Sequence, residues 1–116
     1  MTKPVGPYTP VVQAGDWIIV SGQLGMVDGK LADGVAAQAT QAVANIGAQL
    51  ATVGASLTDV AKTTCFLVDM GDLATFNEAY IAAFGDHRPA RSAIGVAALP
   101  LGGLVEIEAW ARRPSK

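Results

Sequence analysis

With one cysteine, Cys65, and one histidine, His87, among 116 residues, the chain cannot close an internal disulfide or build a histidine-rich metal site. Charge is scarce as well, at 16% of residues against a usual share of about 25%. No basic run exists. The eight Lys and Arg are scattered, their only adjacent pair is Arg112-Arg113 in the tail, and the formal charge is −2. A nucleic-acid binder would show a basic stripe, so nucleic acid is not an expected partner. The uncharged stretch from Ser92 to Val105 is broken by Pro100 and Gly102-Gly103 and is too short to span a bilayer. The opening Met1-Thr2-Lys3-Pro4-Val5-Gly6-Pro7 has no apolar core of the secretory type. A soluble, cytoplasmic protein without a membrane partner is expected.

What the chain has in excess is apolar residues, 51% of the total. That excludes a disordered chain. The length suits a single domain over 1–116, large enough for one core without staples. A compact monomer of this size needs more charge on its surface, so the surplus predicts apolar contacts between subunits.

Periodicity orders the elements. Tyr8 to Gln13 and Trp17 to Ser21 read as strands around a turn at Ala14-Gly15-Asp16. Gly22 to Gly34, with Asp28-Gly29 and Asp33-Gly34, reads as loop. From Val35 to Val53 the apolar residues Ala39, Ala42, Val43, Ile46, Leu50 and Val53 recur at helical spacing, with Asp33 as N-cap and Gly54 as terminator. Gln38, Gln41, Asn45, Gln49 and Thr52 carry no charge onto the other face, which predicts a neighbour crowding it. The β-branched run in Ala61–Val68 predicts a central strand. Leu73–Phe84 reads as a second helix, capped by Asp72 and ended by Gly85, with Leu73, Phe76, Tyr80 and Ala83 or Phe84 on its core stripe. Strands over Ala90–Val96 and Leu104–Ala111 complete a β-β-α-β-α-β-β order. Two helices can cover only one face of such a sheet, so the expectation is a two-layer α+β fold with a mixed sheet. In the last strand Val105, Ile107, Ala109 and Ala111 alternate with Glu106, Glu108 and Trp110. The first set is core; the second would meet another subunit or a ligand.

Phosphate loops, dinucleotide fingerprints and Cys-x-x-Cys pairs are missing. A Ser-His-Asp triad would rest on His87 alone, in a loop flanked by Arg and Pro. Two charged residues in apolar strands stand out. Arg91 is either a structural salt-bridge partner of Glu106 or Glu108, or a planar fork for a substrate carboxylate. Glu106 is either a solvated strand residue or a carboxylate that positions water or moves a proton. A terminal hairpin centred near Leu101 would bring Glu106 within about two ladder pairs of Arg91. Tyr8 reads as a core aromatic, Ser21 as a turn maker, Asn77 as an exposed helix residue, Cys65 as a buried inert thiol and His87 as a loop residue without chemistry.

Taken together, several segments resemble the RidA (YjgF-type) family of reactive-intermediate deaminases. They are Gly6-Pro7-Tyr8, Val20-Ser21-Gly22-Gln23, Val60-Ala61-Lys62-Thr63-Thr64, Phe76-Asn77-Glu78-Ala79-Tyr80, Arg88-Pro89-Ala90-Arg91-Ser92, Val96-Ala97-Ala98-Leu99-Pro100 and Val105-Glu106-Ile107-Glu108-Ala109. The resemblance runs from about residue 5 to 112 and implies a chorismate-mutase-like fold, with two helices on one face of the sheet. It implies a homotrimer whose sheets form a central barrel, with ligand clefts at subunit interfaces. The implied activity is hydrolysis of enamine and imine intermediates of the 2-aminoacrylate type to 2-keto acids and ammonia, with no metal or organic cofactor. Carried over by position, Arg91 matches the arginine that clamps the substrate carboxylate and Glu106 the glutamate near the attacking water. Tyr8, Ser21 and Asn77 match positions that line or support the cleft. Ala93 departs from a cysteine present in several relatives, and Leu24-Gly25 from a common Ile-Pro, which implies an altered pocket. Two other functions bear comparison: a non-enzymatic trimer that binds small carboxylates, and the RNA cleavage or translation inhibition attributed to relatives. The acidic balance of charge argues against the last.

Overall fold

The computed structural model describes residues 6–114. The expected domain's two ends, residues 1–5 and 115–116, lie outside the described residues, and with them most of the stretch read as leaderless. Nine regular elements follow one another: β1 (Val11–Ala14), β2 (Trp17–Leu24), β3 (Met26–Val27), β4 (Lys30–Leu31), α1 (Val35–Ala51), β5 (Val60–Leu67), α2 (Leu73–Phe84), β6 (Ala90–Gly95) and β7 (Val105–Arg112). The α+β class with a mixed sheet and two helices is as expected. The main sheet runs β1-β2-β7-β5-β6, with β5–β6 parallel and the other neighbours antiparallel.

The order of strands departs from the sequence reading at one consequential place. β6 and β7 do not form a hairpin, because β5 lies between them. The chain leaves β2 through α1 and returns as β5, leaving one strand's width open between the two; β7 fills it, antiparallel to both. The β6–β7 connection is pinned to the end of β5 on both sides, Val96 N–H to the Leu67 carbonyl (2.9 Å) and Val68 N–H to the Leu104 carbonyl (3.1 Å). A central place suits β7: Val105, Ile107, Ala109 and Ala111 are fully buried beneath the helices. Burying each of the two larger ones contributes about 1.5–3 kcal/mol.

Four smaller differences have local causes. The first strand begins at Val11, leaving Tyr8 outside it and exposed. The segment read as loop holds the end of β2 and a small β3–β4 hairpin, turned by Asp28-Gly29 with both residues at positive φ. Gly34, not Asp33, occupies the N-cap of α1, with no side-chain bond there. The amide face of α1 is indeed crowded, but from within the chain. The Gln38 amide donates to the Ala32 carbonyl (3.0 Å) and accepts from Leu104 N–H (2.9 Å), while the Asn45 amide donates to the Leu24 and Met26 carbonyls (3.0 and 2.9 Å). Gly25 lies so close beneath α1 that a Cβ there would stand 2.3 Å from the Gln38 carbonyl oxygen.

Both helices lie on one face, where Phe76, Tyr80 and Phe84 of α2 join Ala39, Ala42, Val43, Ile46 and Leu50 of α1 over the sheet. The opposite face carries Val12, Trp17, Ile19, Phe66, Ile94, Glu106, Glu108 and Trp110 by strand alternation and register. Among the described residues nothing covers it: Val12, Ile94 and Trp110 are 45%, 45% and 42% exposed.

Candidate functional site

Arg91 stands on β6, an edge strand, opposite Thr63 of β5. Thr63 is buried beneath the helices, so the parallel register turns Arg91 to the helix side too. There its Nη1 donates to Asn77 Oδ1 of α2 at 2.7 Å, and its guanidinium carbon lies 5.1 Å from the centre of the Tyr80 ring. One amide acceptor and one aromatic face orient the cation without neutralising it. Ala93 follows two residues later on the same side, opposite Cys65, and packs against the core.

Glu106 stands on the other face of the sheet. It follows from the alternation of β7, and Glu108 shares that face. The salt bridge considered for Arg91 therefore cannot form within one chain with either glutamate. Nor do Arg91 and Glu106 share a cleft in one chain. Glu106 pairs with Phe66 and Arg91 with Thr63, so their α-carbons are about 14 Å apart across two strand spacings and three ladder rows.

Glu106 instead joins a cluster at the inner end of β2. β2 bulges between Val20 and Gln23, and Gly22 in the bulge lies directly under the Glu106 carboxylate: a Cβ on Gly22 would come within 2.6 Å of Oε2. Ser21, beside it, ties down the preceding segment, its Oγ donating to the Thr9 carbonyl (2.7 Å) and its N–H to the Pro10 carbonyl (2.8 Å). Tyr8, one residue before Thr9, is held beside β2 in this way. Burial raises the Glu106 pKa above the usual carboxylate range, and the neighbouring Glu108 charge raises it further.

The six residues singled out by sequence thus fall into two groups. Asn77, Arg91 and Ala93 gather on the helix side of the β6 edge; Ser21 and Glu106 meet at the β2 bulge, with the backbone following Tyr8 tied beside it. The cationic group suits a planar anion, and the acidic one can hold water and exchange a proton. Asn77, expected to be merely exposed, is Arg91's hydrogen-bond partner. Cys65 is a buried thiol whose pKa is pushed up to about 11 by burial, as its inert reading requires. His87 does have a structural role: its Nε2 hydrogen-bonds the Val60 carbonyl at 2.7 Å, which fixes the proton on that nitrogen. Gly22 and Tyr80 were not among the sequence candidates. The bulge hides the first, and the second reads as plain core, although a buried tyrosine's hydroxyl always needs a partner. Among the described residues no three or more His, Cys, Asp or Glu side chains converge to hold a metal ion, and no helix is long and apolar enough to cross a membrane.

Comparison with known proteins adds a family. Residues 1–113 match the family described as endoribonuclease L-PSP. A cattle protein named 2-iminobutanoate/2-iminopropanoate deaminase is 47% identical over 110 residues, covering 92% of this chain and 80% of its own. The crystal structure of the YjgF gene product of E. coli superposes with a TM-score of 0.90 at 41% identity, over 96% of this chain and 91% of that one. E. coli TdcF, solved with bound serine, gives a TM-score of 0.90 at 36% identity, over 96% and 91%.

Proposed function

The chain belongs to the endoribonuclease L-PSP family, which includes the RidA and YjgF proteins, and from that membership we propose that it hydrolyses 2-imino and 2-enamino acids to 2-keto acids and ammonia. The observation that carries the reading is the mounting of Arg91, a guanidinium oriented by Asn77 and Tyr80 with both nearby glutamates on the other side of the sheet. Arg91 docks the substrate carboxylate through its remaining N–H groups, which fixes the imine carbon in space. The serine bound to TdcF supports a small amino-acid-like ligand of this kind.

The chemistry is short. An enamine takes a proton at its β-carbon, gives one up from its nitrogen, and so becomes the imine. Water oxygen adds to the imine carbon as its proton passes through Glu106 to the nitrogen. The carbinolamine then collapses, releasing ammonia and leaving the keto acid. Imines hydrolyse unaided, so placement and one proton relay need lower the barrier by only a few kcal/mol. A raised pKa suits Glu106 to that relay. Tyr8 and Ser21 line and support the cleft, and Ala93 leaves it roomier beside Arg91.

Arg91 and Glu106 meet only if the β6 edge of one copy reaches the open sheet face of another. The uncovered Val12, Ile94 and Trp110 supply the apolar contact for such an assembly. The proposal is therefore a homotrimer with its open faces turned inward as a barrel and a composite cleft at each interface. The family's description as an endoribonuclease is set against a formal charge of −2 and scattered cations, which favour a small substrate over RNA. The reading is tested with 2-iminobutanoate generated in place by an amino-acid oxidase. The protein should accelerate release of 2-ketobutyrate and ammonia; a rate equal to the unaided one would leave a carboxylate-binding trimer as the better account.

A further inference from the structure

Tyr80 lies between Phe76 and Phe84 on α2, with ring centres 5.7 and 4.8 Å away. A third phenylalanine would fill that place equally well. The hydroxyl is an added cost in a core, and it has one partner: Thr63 Oγ1, 2.7 Å away and fully buried. Thr63 is also the residue opposite Arg91 in the β5–β6 ladder. The side chains therefore form a closed path from the backbone of Arg91, across the ladder to Thr63, through the hydroxyl pair to Tyr80, and from the ring face back to the guanidinium. The hydroxyl pair pins the far end of the ring and so its tilt, and the ring, with Asn77 Oδ1, fixes the plane of the cation. A cation over an aromatic face is held most firmly where the ring itself cannot tilt.

We infer that Tyr80, anchored by Thr63, is a positioning residue that fixes the plane of the Arg91 guanidinium for its carboxylate ligand. The inference rests on the reading of Arg91 as the carboxylate clamp, but its first readout does not. Held in this way, Arg91 rotates slowly about its Nε–Cζ bond and its Nε–H feels the ring current of Tyr80. Arginine-selective 1H–15N spectra of the full chain should show separate, shifted Arg91 signals in the wild type. They should collapse toward those of a free arginine in Tyr80→Leu and move part of the way in Tyr80→Phe and Thr63→Val, which keep the packed ring or its surroundings. In turnover, KM should rise about fivefold to tenfold in Tyr80→Leu, and less in Tyr80→Phe, while kcat stays within about twofold. Pyruvate, an unreactive carboxylate probe, should weaken in step with KM. Averaged Arg91 signals in the wild type, or unchanged signals and KM in folded Tyr80→Phe and Thr63→Val, overturn the inference. Full turnover by Arg91→Ala would instead remove the clamp reading and leave the spectra to stand.

Discussion

Arg91 and Glu106 lie on opposite faces of one sheet, with β5 between their strands. Arg91 looks up beneath α2, where Asn77 and Tyr80 hold it; Glu106 looks down onto the open face beside the β2 bulge. A reaction that needs both must be built from more than one chain. On the proposed reading, this relation ties assembly to activity.

Arg91→Ala should lower kcat/KM at least about 100-fold, the loss expected when a charged, bidentate hydrogen-bonded pair is removed, and should leave the oligomer intact. Steady-state keto-acid release and sedimentation velocity together check this. Arg91→Lys should recover only part of the loss, because an ammonium cannot present the planar fork.

Gly22→Ala should disturb chemistry more than folding. Its new Cβ would meet the Glu106 carboxylate, the movable end of a side chain, and not the backbone. A fall in kcat of about tenfold, with a urea midpoint close to that of the wild type, is the expected pattern. Gly25→Ala is the contrasting case. Its Cβ would meet the Gln38 backbone, so about 3 kcal/mol of stability should be lost in equilibrium unfolding.

The acid limb of the pH profile should report Glu106. Its pKa is raised by burial first and by Glu108 second, so the carboxylate takes up its proton at a higher pH than an ordinary glutamate. Glu108→Gln removes the second cause and should move the acid limb of kcat to lower pH. Stability follows the same linkage. A raised folded-state pKa contributes stability below the unfolded pKa, and this is lost as pH rises through the folded value. Glu106→Gln should therefore gain thermal stability relative to the wild type as pH rises through that window.

Trp110→Glu should shift the protein towards monomer and abolish turnover together, with the helix-side core untouched, because Trp110 is exposed on the open face and its removal leaves Ile107 and Ala109 buried as before. Sedimentation equilibrium and circular dichroism separate loss of assembly from loss of fold.

Much of this was legible in the sequence. The alternation in Val105–Arg112 separated core from open face residue by residue, since period two leaves no choice once one face is buried. The apolar stripes of α1 and α2 were equally plain. Strand order was not: β6 and β7 are neighbours in sequence with a short connection, and only the opening left between β2 and β5 explains why β7 goes there. The β3–β4 hairpin was announced by Asp28-Gly29 but is too short to show alternation. The site was legible as a set of residue types and illegible as a place, because Arg91 and Glu106 are joined by nothing within one chain.

The central claim is that the cleft takes Arg91 from one copy and Glu106 from another, and subunit mixing tests it most directly. Arg91→Ala and Glu106→Gln, each inactive alone, should be unfolded together in equal amounts, refolded, and assayed for 2-ketobutyrate release. In random mixed trimers about one cleft in four would combine an intact Arg91 with an intact Glu106, so about a quarter of wild-type activity should return. Mixed trimers as inactive as their parents would contradict the composite site.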